Sequence, residues 1–285
     1  MSKTTGLEIV RDFVKYTLYS GFIENIVRPT SGLIVAEPER GKSTEARKWY
    51  GLGVFSLDDL TWYGINRAIL EMSPRDRQIF HHLIIADLEK VGSRNRVVRY
   101  ELLSGLRILM DEGIKEISTG RMRVSLENRL PIGVLMCTTP DDIGDRRSVF
   151  RTLSFQSRVI PFTYDYSDRL KVKVLNFIES EEHTVKETFF FKREEKVDVT
   201  LPPYYAKELN LYTRILARRL EKFSRISSIK KTNEKERLLG IRTKENLMAF
   251  LKSIALYHGR TTVTKTDFVE FLKLYDYMNY KFNEL

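Results

Sequence analysis

A single cysteine, Cys137, and four histidines stand among 285 residues. One thiol closes no internal disulfide, and so few soft ligands leave little for a structural zinc cage. No stretch approaches the ~20 consecutive apolar residues of a membrane span. The first apolar segment, Leu7 to Ile26, is broken by Glu8, Arg11, Asp12, Lys15 and Glu24. There is no low-complexity tract, no repeat at solenoid period and no separate helix-turn-helix module. Secretion, structural zinc and membrane insertion are set aside, and a cytoplasmic protein is expected. The composition that remains is globular, 42% hydrophobic and 30% charged, with 48 Lys and Arg against 38 Asp and Glu. The net charge of +10 favours a polyanionic partner, nucleic acid first among them.

Apolar residues at helical spacing from Leu7 to Phe22 predict an amphipathic helix over 7–20 that ends near Gly21. Short apolar runs follow at 33–36, 52–55, 80–86, 132–137 and 159–162, with helical stretches near 57–72 and 96–112 between them. Strands alternating with helices predict a parallel sheet in an α/β domain. A Gly-containing turn between β-prone flanks predicts a hairpin over 114–128 with a basic tip, Arg121 and Arg123 sharing one face. The segment 171–203 has no clear pattern. From Tyr205 the spacing is helical again, and Thr264 with Asp267 marks a capping box ahead of a last helix.

The sharpest local signal is Ala36-Glu37-Pro38-Glu39-Arg40-Gly41-Lys42-Ser43-Thr44. It fits the phosphate-loop pattern except that Ala36 stands where a first glycine is usual. Such a loop wraps phosphate oxygens with backbone N–H groups, sets Lys42 on the β and γ phosphates and offers the Ser43 hydroxyl to Mg²⁺. A triphosphatase also needs a carboxylate at the end of a neighbouring buried strand. Leu83-Ile84-Ile85-Ala86-Asp87-Leu88-Glu89 supplies Asp87, with Glu89 two residues on and on the same side if the strand persists. Thr138 and Thr139 end the next apolar run, where a hydroxyl would reach the γ-phosphate. Arg158 stands just before the fifth run, on a surface from which it would complete a neighbour's site. Arg214, Arg218 and Lys222 are spaced by four on one predicted helix and give it a basic face.

The order of phosphate loop, acidic strand end, Thr-Thr-Pro strand end, Ser-Arg and helical C-terminal region resembles that of the AAA+ ATPases, from about Gly32 to Leu274. Within them the 114–128 hairpin is similar to the one inserted in minichromosome-maintenance-type helicases. The resemblance implies a P-loop parallel sheet flanked by helices, over 31–170, with a lead-in helix over 1–30 and a helical lid over 204–285. It implies that residues 37–44 bind ATP, that Ser43 and Asp87 hold Mg²⁺, and that Thr139 is the sensor on the fourth strand. Arg158 matches the arginine finger and Arg242 the lid's sensor arginine. Self-association into a hexamer-like ring or a filament is expected, with DNA as substrate, as in a helicase or loader. The acidic strand departs from the family's consecutive Asp-Glu pair: with Asp87 as the first acid Leu88 replaces the glutamate, and with Asp87 as the second Ala86 replaces the aspartate. Slow hydrolysis follows from that departure, and a nucleotide-switched scaffold that acts on protein partners is the alternative function.

Overall fold

The computed structural model describes residues 3–51, 53–57, 61–88, 90, 95–118, 123–143, 155–191, 195–225 and 240–281. Along the chain run α1 (Glu8–Tyr19), β1 (Gly32–Val35), α2 (Lys42–Arg47), β2 (Trp49–Gly51), β3 (Val54–Leu57), α3 (Trp62–Glu71), α4 (Pro74–Ile79) and β4 (His82–Ile85). There follow α5 (Arg96–Asp111), β5 (Ile114–Ser118), β6 (Arg123–Leu130), β7 (Gly133–Thr138), β8 (Ile160–Thr163), α6 (Asp168–Glu179), β9 (Phe189–Phe191), α7 (Pro203–Arg225), α8 (Ile241–Tyr257) and α9 (Lys265–Tyr275). A seven-stranded sheet has the order β8-β1-β7-β4-β3-β2-β9, and only its β2–β3 pair is antiparallel. The architecture is α/β, a mostly parallel sheet with helices on both faces.

The central strands are apolar at nearly every position because both of their faces are covered. Alternation sends Ile34, Leu135, Cys137 and Phe162 into one layer, with α1, α8 and α9. It sends Leu33, Val35, Leu83, Ile85, Val134 and Met136 into the other, with α3 and α5. Phe13 of α1 stacks on Phe162 of β8 with centroids 4.4 Å apart, and lies 5.6 Å from Phe250 of α8. The C-terminal helices therefore share one continuous apolar core with α1 and the sheet. The capping box at the start of α9 is formed, with the Thr264 backbone N–H donating to Asp267 Oδ2 at 2.8 Å.

Two features depart from the sequence reading. The segment around 171–203 contains a regular helix, α6, whose N-cap Ser167 accepts from the Leu170 N–H. Its Val172, Leu175 and Ile178 are 58%, 60% and 48% exposed, so its apolar stripe does not mark a core face. The sheet also gains β2 and β9, strands of three residues each, which pair with each other in parallel beyond β3. The hairpin of β5 and β6 pairs Ser118 with Arg123 and continues to Leu130, leading directly into β7. No helix among the described residues is long and apolar enough to cross a membrane.

His81 and His82, adjacent in sequence, turn their rings toward each other, because His81 precedes β4 and escapes the alternation of the strand. Their Nδ1 atoms are 2.6 Å apart, and His82 Nε2 lies 3.0 Å from the Thr30 carbonyl oxygen. His82 must donate to that carbonyl, so its Nδ1 accepts from His81 Nδ1–H, and both rings are neutral. Burial lowers His82 to about 4, and burial, with His82 and the Lys196 ammonium nearby, lowers His81 well below the ordinary histidine range. The unfolded chain takes up protons below pH 6.5 that the folded chain refuses, so stability falls as pH drops from 6.5 toward 4. For His82 alone the loss at pH 4 is about 3 kcal/mol. Urea unfolding at pH 7, 5.5 and 4.5 should show this decline, and His82→Gln should flatten it.

Candidate functional site

β1 ends at Val35 in register with Thr138 of β7 on one side and Thr163 of β8 on the other. β7 lies between β1 and β4, so three strand ends stand in a row on the carboxyl edge of the sheet: Ala36, then Thr138-Thr139, then Ala86-Asp87. Ligands of open α/β sheets bind at this edge, where successive connections diverge to opposite sides of a strand. Here β1 is that strand, with β7 and β8 as its two neighbours.

The loop 36–41 curls back over this edge before α2 begins at Lys42. Gly41 has φ +74°, the left-handed conformation that favours glycine, and a Cβ there would also push the Leu7 side chain, whose Cδ1 would lie 2.6 Å away. Glu39 also adopts a positive φ, 63°, while Pro38 and Glu39 are exposed. Lys42 Nζ donates to the Glu37 carbonyl oxygen at 3.2 Å, which holds the ammonium over the loop. Ser43 Oγ donates to the Ala86 carbonyl oxygen at 2.6 Å, which joins the hydroxyl to the strand end that carries Asp87. Thr44 follows on the same turn. Because α2 has only six residues, anion affinity must come from loop N–H groups and Lys42 more than from a helix dipole. Cys137 lies beneath, its Sγ 3.7 Å from the Lys42 carbonyl oxygen. Burial pushes its thiol up to about 12, so it is neither a nucleophile nor a ligand at neutral pH.

Asp87 is part-buried, with its side chain 31% exposed and Lys90 Nζ 3.9 Å from its Oδ2. Leu88, the next residue, is fully buried, its N–H donating to the Cys137 carbonyl oxygen at 2.9 Å. On β7, Thr138 Oγ1 donates to Asp142 Oδ2 at 2.8 Å, and Thr139 Oγ1 accepts from the Asp142 N–H at 3.4 Å. Ser43, Asp87 and Thr139 are thus brought to one edge with Lys42. Hard oxygen donors of this kind suit Mg²⁺, which takes one or two protein oxygens and completes its shell with phosphate and water. No group of three or more His, Cys, Asp or Glu side chains among the described residues forms a metal cage.

The sequence reading missed the braces of the loop. The Tyr164 and Tyr166 hydroxyls donate to the Arg40 carbonyl oxygen at 2.7 and 2.9 Å, and Asp165 Oδ1 accepts from Arg40 Nε at 2.8 Å. The signal was present as Tyr-Asp-Tyr just after the fifth apolar run, where alternation puts both tyrosines on one face. Asp142, a second acid on the same edge, was likewise not singled out.

Other expected residues lie elsewhere. Arg158 is 7% exposed rather than at the surface, and its Nη2 donates to Asp111 Oδ2 at 2.8 Å. Arg242, expected beside the loop, donates instead to both Asp111 oxygens, from Nη2 at 3.0 Å and from Nε at 3.1 Å. Arg28 Nη1 is 2.7 Å from Asp111 Oδ1, and the same guanidinium pairs with Glu245. Burial pulls the Asp111 carboxyl upward, but Arg158 and Arg242 outweigh it and hold it below the ordinary carboxylate range. Arg28 precedes β1, Asp111 ends the helix that leads toward β7, and Arg158 precedes β8. This cluster therefore occupies the amino edge of the sheet, opposite the loop. Arg214 and Arg218 are exposed on α7, Lys222 lies on the same helix, and Arg123 opens β6. Glu89 and Arg121 lie outside the described residues.

No known family model matches the chain, and no curated protein is significantly similar to it.

Proposed function

We propose that the chain is an AAA+ ATPase whose subunits share ATP sites across the interfaces of a ring or filament and use them to remodel or move along DNA. The observation that carries this reading is the meeting of Lys42 and Ser43 with Asp87 and Thr139 on one edge of the sheet, with β7 placed between β1 and β4. Lys42 would leave the Glu37 carbonyl oxygen for the β and γ phosphates of ATP. Ser43 and Asp87 would hold Mg²⁺, which neutralises charge on the phosphates during transfer. Thr139 would contact the γ-phosphate or its water. Arg158, buried against Asp111 on the opposite edge, holds that edge together in this reading and is not the arginine that reaches a neighbour's nucleotide. The helical C-terminal region is the lid of this reading, and the net charge of +10 and the exposed Arg214 and Arg218 favour DNA as substrate.

The buried Leu88 supports a second reading, a nucleotide-switched scaffold, because the residue after Asp87 brings no carboxylate to orient water. ATP hydrolysis with and without single- and double-stranded DNA separates the two, with particle mass measured in each nucleotide state. The motor predicts DNA-stimulated turnover, lost in Lys42→Ala. ATP-dependent assembly without turnover selects the scaffold. Neither turnover nor nucleotide-dependent assembly contradicts both.

A further inference from the structure

A cleft of about 600 Å³ opens on the amino edge of the sheet, on the far side from the phosphate loop. Its position follows from topology. Pro29 precedes β1, His81 precedes β4 and Pro131 precedes β7, so the floor is made by the entries of three parallel strands. One wall is α4 with Arg77 and Gln78, another is the base of the hairpin with Arg129, and Lys196 closes the rim. A second hollow of about 560 Å³ shares Gly21, Glu24, Gln78, His81 and Lys196 with the first, so the two form one trough.

The trough is cation-rich, with Glu24 and Glu195 as the acids on its lining. Arg28, Arg77, Arg129 and Lys196 line the larger hollow against Glu24 alone. Arg28 is committed to Asp111 and Glu245, which leaves three cations for a ligand. Arg129 pairs with Glu112 at 3.6 Å, but both side chains are more than half exposed, so a ligand phosphate can displace that contact at little cost. Phe80 and Phe22 line the hollows but are only 5% and 2% exposed, and no other Phe, Tyr or Trp among the described residues lines either one. The trough offers no stacking platform, so it suits a phosphate backbone and not bases. The buried His81, whose Nε2 has no hydrogen-bond partner among the described residues, stands in its floor.

We propose that this trough seats the phosphodiester backbone of single-stranded nucleic acid, held by Arg77, Arg129 and Lys196 independently of sequence. The proposal rests on the nucleic-acid part of the reading above and adds to the hairpin tip and α7 a third contact region, at the hairpin base.

The test is the salt dependence of binding to a fluorescent oligothymidylate, read by anisotropy, for the wild type and for the triple variant Arg77→Gln, Arg129→Gln, Lys196→Gln. Each single-strand phosphate contact contributes about 0.7 to the slope of log K against log salt. Loss of three contacts should flatten the slope by about 2 and weaken binding roughly 10²-fold at 0.1 M salt. Lysine at positions 77 and 129 should retain the wild-type slope, because the contact is one of charge. DNA-independent ATP turnover and the thermal midpoint should stay at wild-type values, since the three side chains lie away from the loop. Wild-type binding with an unaltered slope in the triple variant overturns the proposal and leaves the DNA reading standing. Failure of the wild type to bind at 25 mM salt, with and without ATP, overturns both. Free ATP that still binds the Lys42→Ala chain, and is lost when the three glutamines are added, would assign the trough to nucleotide and overturn the proposal.

Discussion

Lys42→Ala is expected to reduce ATP turnover at least about 10³-fold, or roughly 4 kcal/mol of transition-state stabilisation. The ammonium is the one full positive charge that the loop places at its centre, since Arg40 is turned away to Asp165 at 2.8 Å. Two carboxylates, Glu37 and Glu39, lie in the same loop. With Lys42 removed, the loop would meet the phosphates with those acids and only its N–H dipoles to offset them. The structure itself should survive, because the Lys42 ammonium holds the loop through a single long hydrogen bond to the Glu37 carbonyl oxygen, at 3.2 Å. A stopped assay with an unchanged thermal midpoint would tie the loss to chemistry. Lys42→Arg is not expected to rescue, since a planar guanidinium does not reproduce the compact charge of an ammonium.

The second large effect falls behind the loop. Glu45 and Lys48 are both fully buried, with Lys48 Nζ 2.6 Å from Glu45 Oε1 and 2.6 Å from Glu187 Oε2. Arg11 Nε of α1 reaches Glu45 Oε2 at 3.1 Å, and the Thr4 hydroxyl donates to Oε1 of the same carboxylate. This network fastens α2 to the N-terminal segment and to the segment with Glu187 that leads into β9. Glu45→Ala leaves a buried ammonium with one acid where it had two, and should destabilise the chain by about 3–5 kcal/mol. For a chain of this size that lowers the thermal midpoint by roughly 10 °C. The double variant Glu45→Leu, Lys48→Met removes both charges together and should recover most of the loss. A single-variant loss under about 1 kcal/mol would mean that water reaches the site and that the pair is not buried in solution.

These two regions differ in how far the sequence discloses them. The loop, its lysine and its hydroxyl are contiguous, so strand, turn and helix were readable from Leu33 to Ser43. Asp87 was readable because it ends an uninterrupted apolar run. The placing of β7 between β1 and β4, which brings Thr139 to the same edge, is set by which strands pair across long separations, and no local pattern states it. Arg242 shows the same limit. Its position at the start of α8 was legible, but its partner Asp111 is 131 residues away. Helix α6 was missed because its stripe of Val172, Leu175 and Ile178 faces solvent, which removes the usual link between periodicity and core. The strands β2 and β9 were missed because three residues are too few to show alternation.

The central claim is that residues 37–44 with Asp87 form a site for a nucleoside triphosphate and Mg²⁺. Titration calorimetry of the chain with ATP, in the presence and absence of Mg²⁺, tests it most directly. The account predicts saturable binding near one nucleotide per chain, strengthened by Mg²⁺, abolished by Lys42→Ala and weakened by Asp87→Asn only when Mg²⁺ is present. No heat of binding at millimolar ATP, or binding that Lys42→Ala leaves intact, would contradict it.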